Sequence, residues 1–139
     1  MVNTRFSVAI HILALIASNP AQQMSSEFIA GSVNTNPVVI RRTSSLLKKA
    51  GLLSSRAGVT GFKLSKEPSE ITLLDIYEAV SSNEEFFSIH KGPNPNCEVG
   101  KNIQSTLHET FSKIDQTVKG KLAELTLVDI LSGLQLEQP

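Results

Sequence analysis

The sequence predicts a mainly α fold with a small β wing: a winged helix-turn-helix domain followed by a long helix used for dimerisation. Three observations predict it. Residues 36–51 carry a helix with its own start and stop signals. A hairpin pattern with two glycines at its tip follows directly. Further on, from Val99 to Gly120, apolar residues recur at helical spacing.

The segment from Asn36 to Gly51 is central. Asn36 suits an N-cap, because its side chain accepts from a free amide of the first turn. Pro37 follows where a missing N–H costs nothing. Gly51 stands where a left-handed residue ends a helix. Ile40, Thr43, Leu47 and Ala50 recur at spacings of three and four and form a core face. Val38, Arg41, Arg42, Ser45, Lys48 and Lys49 form the other face, which is cationic and carries no acid. Such a helix suits a polyanion, and a major groove is wide enough to take it. A solvated face that binds nothing has the same composition, so the flanking segments decide.

Residues 4–18 read as a core helix with Phe6, Ile10, Leu13, Ala14 and Ala17 inward. The apolar run Val8 to Ala17 is broken only by His11 and is too short to span a bilayer. Arg5 ahead of that run imitates a secretory signal. His11 and the lack of secreted-protein cysteines favour the core helix, with His11 a satisfied histidine at its flank. After a stop at Asn19-Pro20, Ser25 and Ser26 cap a short helix from Glu27 to about Ser32. Gly31 and Asn34-Thr35-Asn36 break it. Glu27 falls in its first turn, where the helix dipole favours an acid. A short helix, a turn and a helix with a basic outer face make a helix-turn-helix.

After Gly51 the periodicity changes from helix to strand. Residues 52–56 and 62–64 are short extended arms around the tip Ala57-Gly58-Val59-Thr60-Gly61. A hairpin in this place is a wing, and Arg56 and Lys63 flank its tip. Thr72-x-x-Asp75 is a capping box, with Ile71 and Ile76 placed as a hydrophobic staple. The helix it opens runs to about Val80 on a stripe of Leu73, Ile76, Tyr77 and Val80. Residues 81–98 form a loop of a length that is usually functional or mobile. It holds two adjacent phenylalanines, His90, two prolines and Cys97.

From Val99 to Gly120, Ile103, Leu107, Phe111, Ile114 and Val118 recur at spacings of four, four, three and four. That helix extends about 33 Å, and a narrow apolar seam on a long helix often meets its own symmetry mate. Packing back onto its own domain gives the same pattern. Thr126-x-x-Asp129 is a second capping box, opening a helix through about Leu131. The tail from Gln135 to Pro139 is expected to fray. The organisation is thus a DNA-binding domain over 1–80, a sensor or effector loop over 81–98, and a dimerisation helix with a C-terminal helix over 99–139.

The net charge of zero conceals an asymmetry. Residues 1–64 contain seven Lys/Arg and one acid, Glu27, while residues 65–139 contain six Lys and twelve Asp/Glu. A basic half is the electrostatic footprint of a polyanion partner. The one cysteine excludes an internal disulfide framework and fits a reducing cytoplasm, where the chain is expected to act.

Taken in this order, the segments resemble the Rrf-two type of bacterial winged-helix regulators. The residues that carry the resemblance are Arg5-Phe6-Ser7-Val8-Ala9-Ile10-His11, Leu46-Leu47-Lys48-Lys49-Ala50-Gly51-Leu52-Leu53-Ser54-Ser55, and Ile71-Thr72-Leu73-Leu74-Asp75-Ile76. Pro93-Asn94-Pro95-Asn96-Cys97-x-Val99-Gly100 looks like the cysteine-centred segment of one subgroup. The resemblance implies a homodimer formed through the long helix. It implies a third helix and wing that read a partly palindromic operator, usually to repress. By position, Arg41, Arg42 and Ser45 would face base edges or phosphates, and Arg56 would enter the minor groove. The family wing is commonly Arg-Gly-x-Gly-Gly-Gly-Tyr, and here Arg56-Ala57-Gly58-Val59-Thr60-Gly61-Phe62 has fewer glycines. Cluster-binding members hold iron and sulfur with three cysteines in the loop. This chain has Cys97 alone, and one thiolate cannot replace three, so no cofactor is expected.

The candidate duplex-contacting set is therefore Thr35, Asn36, Val38, Arg41, Arg42, Ser45, Lys48, Lys49, Arg56 and Lys63. The candidate seam is Ile103, Leu107, Phe111, Ile114 and Val118. Cys97 lies at the start of the long helix, where free amides and the dipole favour a thiolate open to oxidation. His90 is a second, weaker candidate, and a small ligand is an alternative effector. A free cysteine packed inertly is the competing reading. Together these give a dimeric DNA-binding repressor responsive to a thiol oxidant or small ligand. A winged-helix module that binds protein through its acidic half is the alternative. No Ser/His/Asp set, phosphate loop or pair of carboxylates in a plausible cleft points to an enzyme, although Cys97 and His90 could be drawn as a dyad.

Overall fold

A computed structural model describes residues 4–59, 61–81 and 86–135. Among these, six α-helices and one two-stranded sheet follow in order. They are α1 (Arg5–Ser18), α2 (Ser26–Val33), α3 (Pro37–Lys49), β1 (Leu53–Ser54), β2 (Lys63–Leu64), α4 (Leu73–Ser81), α5 (Glu98–Glu124) and α6 (Leu127–Leu134). A 3-10 turn at Pro68–Glu70 precedes α4. This is the mainly α fold with a β wing that the sequence predicts. Thr60 at the wing tip, residues 82–85 of the predicted loop and the tail beyond Gln135 lie outside the described residues.

The described residues of 1–82 and 122–139 make one compact unit, and those of 83–121 make another. The core of the first unit is aliphatic: Ala9, Ile12, Leu13 and Ile16 of α1, Ile29 of α2, Ile40 and Leu47 of α3, Leu52 and Leu53, then Ile71, Ile76, Val80 and Leu127. Leu13 and Ala14 are buried as the sequence predicts, but the rest of the inward face of α1 is rotated from the expected one. Phe6, Ile10 and Ala17 are only partly buried, while Ala9, Ile12 and Ile16 are fully enclosed or nearly so. A helix that is apolar all round carries little directional signal, and tertiary packing chose the face. His11 is satisfied at the flank, its Nε2 lying 3.0 Å from Ser32 Oγ.

The helix-turn-helix forms where the sequence predicts it, with α2 ending at Val33, one residue beyond the expected Ser32. Ser25 caps α2 through the Phe28 N–H at 3.1 Å. Gly31 stays inside α2, and Asn34, in the left-handed region with φ 63°, makes the stop. Asparagine tolerates that region because its short amide can bond locally. Asn36 then caps α3 through the Val39 N–H at 3.1 Å, with Pro37 in the first turn.

The wing is stapled at two levels. Leu53 pairs with Leu64 and Ser54 with Lys63 in antiparallel register. Phe62 also bridges to Met24, in the segment before α2. Gly61 is required there: its φ is 105°, and an added Cβ would lie 2.9 Å from the Gln23 backbone.

Both capping boxes close. The Thr72 hydroxyl accepts from the Asp75 N–H at 3.0 Å, and the Asp75 carboxylate accepts from the Thr72 N–H at 3.1 Å. The Asp129 carboxylate accepts from the Thr126 N–H at 2.8 Å. The two caps are themselves joined, since Leu73 N–H donates to Leu125 C=O at 2.8 Å and Leu127 N–H to Ile71 C=O at 2.9 Å. The end of the chain is thereby threaded into the core of the first unit. Leu127 is fully buried there, so Leu127→Ala is expected to cost about 2–5 kcal/mol. Chemical denaturation of the full chain checks this.

α5 begins one residue earlier and ends four later than the sequence reading, over Glu98–Glu124, and spans about 40 Å. Every residue of α5 is at least partly exposed. α6 likewise runs past Leu131 to Leu134, where Gln135 turns left-handed with φ 49°.

Candidate nucleic-acid interface

The two faces of α3 separate as the sequence predicts, with one exchange. Ile40, Thr43 and Leu47 are buried, but Ala50 is exposed and Ser44 is buried in its place. Ala50 caps the helix rather than continuing it, and Gly51 follows with φ 82°. The Thr43 hydroxyl donates back to Val39 C=O at 2.9 Å. A polar inner position is thus satisfied within the helix.

On the outer side Val38, Arg41, Arg42, Ser45, Lys48 and Lys49 are all exposed. Val38 is 47% exposed, a large apolar side chain held in water at the start of the helix. Thr35 is half-buried in the turn, and Asn36 spends its side chain on the cap. On the wing, Arg56 and Lys63 are exposed. Lys48 Nζ donates to Ser55 Oγ at 2.6 Å, tying the last turn of α3 to the first arm of the wing. The structure therefore brings the candidate set onto α3, the turn before it and the wing.

One feature of this face was not read from sequence. The outer face of α3 carries no acid of its own, but Glu27 of α2 supplies one, accepting from Arg41 Nη2 at 2.9 Å. Glu27's own backbone N–H, and then the Arg41 guanidinium, hold its carboxyl below the 4.5 of an unperturbed glutamate. The pair is therefore formed at neutral pH. Whatever it contributes is present above 4.5 and is lost as pH falls through the lowered value. The sequence signal that could have found it is that Glu27 is the single acid in the basic half.

In the second unit, Cys97 immediately precedes α5 and is exposed. Its N–H donates to Asn94 C=O at 3.2 Å, and its C=O accepts from Lys101 N–H at 2.8 Å. Asn94 Oδ1 accepts from Asn96 N–H at 3.0 Å. Gly100 leaves room for this turn, because a Cβ there would strike the Asn94 carbonyl. His90 is exposed, and its carbonyl accepts from Gln104 Nε2 at 3.1 Å. Among the described residues no hydrogen bond joins the Cys97 thiol to the His90 ring.

Ile103, Leu107, Phe111 and Val118 are half-exposed and Ile114 is 40% exposed. Phe111 leans on Phe87, with ring centroids 5.4 Å apart. A cavity of about 40 Å³ beside these rings is lined by Phe86, Phe87, His108, Phe111, Ser112 and Asp115. It has room for water rather than for a metabolite. Among the described residues, no helix is long and apolar enough to cross a membrane.

A family model for Rrf2, described as an iron-dependent transcriptional regulator, matches residues 2–133. YwnA of Bacillus subtilis (strain 168), provisionally named an HTH-type transcriptional regulator, is 52% identical over 134 residues, 96% of this chain and 99% of that one. A crystal structure provisionally described as a DNA-binding protein shares 48% identity at a TM-score of 0.76, over 91% of this chain and 98% of that one. CymR of B. subtilis, described as the global cysteine regulator, shares 25% identity at a TM-score of 0.70, over 95% and 96% of the two chains. These names describe regulators, not enzymes.

An iron–sulfur cluster held by several cysteines does not fit the residues of this chain. A cluster needs several thiolates. Here there is one cysteine, and among the described residues no group of three His, Cys, Asp or Glu side chains is placed to hold a metal ion. With its helix-turn-helix and wing in place, and with the family match extending over residues 2–133, the chain belongs to the Rrf2 family of transcriptional regulators.

Proposed function

We propose that the chain acts in the cytoplasm as a homodimeric repressor that reads a partly palindromic operator with α3 and the wing. The observation that carries this reading is the outer face of α3. Its four cations, with Arg56 and Lys63 on the wing, are exposed while Ile40, Thr43 and Leu47 anchor the opposite face in the core. Cations free of the core are the side chains that neutralise phosphates and release counterions. The seam from Ile103 to Val118 supports pairing of two copies, since it is apolar, regular and without a buried residue. Two copies on two half-sites give the dyad that a palindrome matches.

Cys97 is the proposed sensor. It is exposed, so the inert, buried cysteine is not the arrangement here. Hydrogen peroxide would take its thiol to a sulfenic acid, one peroxide oxygen passing to the sulfur and the other leaving as water. That change falls where Asn94 and Gly100 pack the turn against α5. Selection of bound fragments from genomic DNA, with and without peroxide, tests both parts. The wild-type chain is expected to recover a discrete set of sites and to release them on oxidation, while Cys97→Ser retains them. Recovery of unselected fragments would refute operator reading. Identical release from Cys97→Ser would refute the sensor.

A further inference from the structure

Glu27 is the one acid among residues 1–64, and it lies against the recognition helix. Its contact with Arg41 joins two exposed side chains, 66% and 55% accessible. Such a pair adds little to stability. Ile29 and Ala30 of α2 and Ile40 and Leu47 of α3 already lie in the shared core. What the contact changes is Arg41. One of the five guanidinium N–H groups is engaged, and a long flexible side chain is held in one place. A phosphate approaching that guanidinium also approaches a carboxylate and is repelled. A neutral base edge is not. Arg42, the next residue, has no acid partner among the described residues.

We propose that Glu27 is a positioning residue that directs Arg41 to a base edge of duplex DNA and away from the phosphate backbone, leaving phosphate neutralisation to Arg42 and the lysines. The proposal rests on the duplex-reading function above. It divides the basic face by chemistry: phosphate contacts position the protein and base contacts specify the sequence, and a bidentate arginine to guanine is the commonest specific contact.

The test measures binding of the full chain to its selected site and to an unrelated duplex of equal length, over a series of salt concentrations. Glu27→Gln removes the charge and frees Arg41. It is expected to tighten binding to the unrelated duplex several-fold and to steepen the salt slope by about one phosphate contact, 0.9 per phosphate. The ratio of site to unrelated affinity is expected to fall about tenfold. Glu27→Asp keeps the charge but shortens the reach, so its ratio falls without the tightening. If Glu27→Gln shifts both duplexes by the same factor, Glu27 is an ordinary surface charge and the proposal is overturned. A wild-type chain that binds neither duplex would overturn the duplex reading, and this proposal with it.

Discussion

Arg42→Ala is expected to weaken operator binding by about ten- to a hundredfold and to flatten the salt dependence by about one phosphate contact. Arg42 is exposed on the outer face of α3, one residue from the paired Arg41, and has no acid partner among the described residues. Removing it deletes a full positive charge from the surface proposed to face the duplex and leaves the core face of Ile40, Thr43 and Leu47 intact. The loss should therefore appear equally on specific and unrelated DNA, and the thermal unfolding of the chain should not move. Arg41→Ala is expected to differ in kind: the specific site suffers more than unrelated DNA, and the salt slope changes less. Fluorescence anisotropy on both duplexes separates the two patterns. Unchanged affinity in both variants would remove α3 from the interface.

Leu107→Glu is expected to convert the proposed dimer to a monomer and to lower affinity for a full operator by about a hundredfold or more, because the second half-site would no longer bind at high effective concentration. Leu107 lies within the seam, between Ile103 and Phe111, and is half-exposed in the single chain. A carboxylate there sits in water when the chain is alone. It is buried without a partner only if a second copy covers the seam. Sedimentation measures the assembly, and binding to a single half-site should be nearly unaffected. A variant that stays dimeric would place the contact elsewhere.

Local chemistry was legible and long-range pairing was not. Asn36, Thr72 and Thr126 cap in the manner read from sequence because each cap is settled within four residues. Gly51 took its left-handed place for the same reason. The inward face of α1 is only partly legible, with Leu13 and Ala14 buried but Phe6, Ile10 and Ala17 not fully so, because nearly all of its residues are apolar and only packing decides which are enclosed. Of the two breaks the sequence offers for α2, Gly31 and Asn34-Thr35-Asn36, only the second operates, with Asn34 as the left-handed stop. The bridges Met24–Phe62 and Thr72–Thr126 join segments far apart in the chain, and no local pattern announces them. The Glu27–Arg41 contact belongs to the same class. Each residue was conspicuous by itself, the acid at a helix N-terminus and the arginine on a basic face, but their meeting depends on how α2 crosses α3.

The most direct measurement is equilibrium binding of the full chain to a fragment recovered from genomic DNA, with stoichiometry and salt dependence read together. Two chains per site and a log–log salt slope of about −5 or steeper are expected, since each copy of the proposed dimer would bring several cations to the backbone. A single chain in solution with no affinity for duplexes at low ionic strength would contradict the operator-reading dimer.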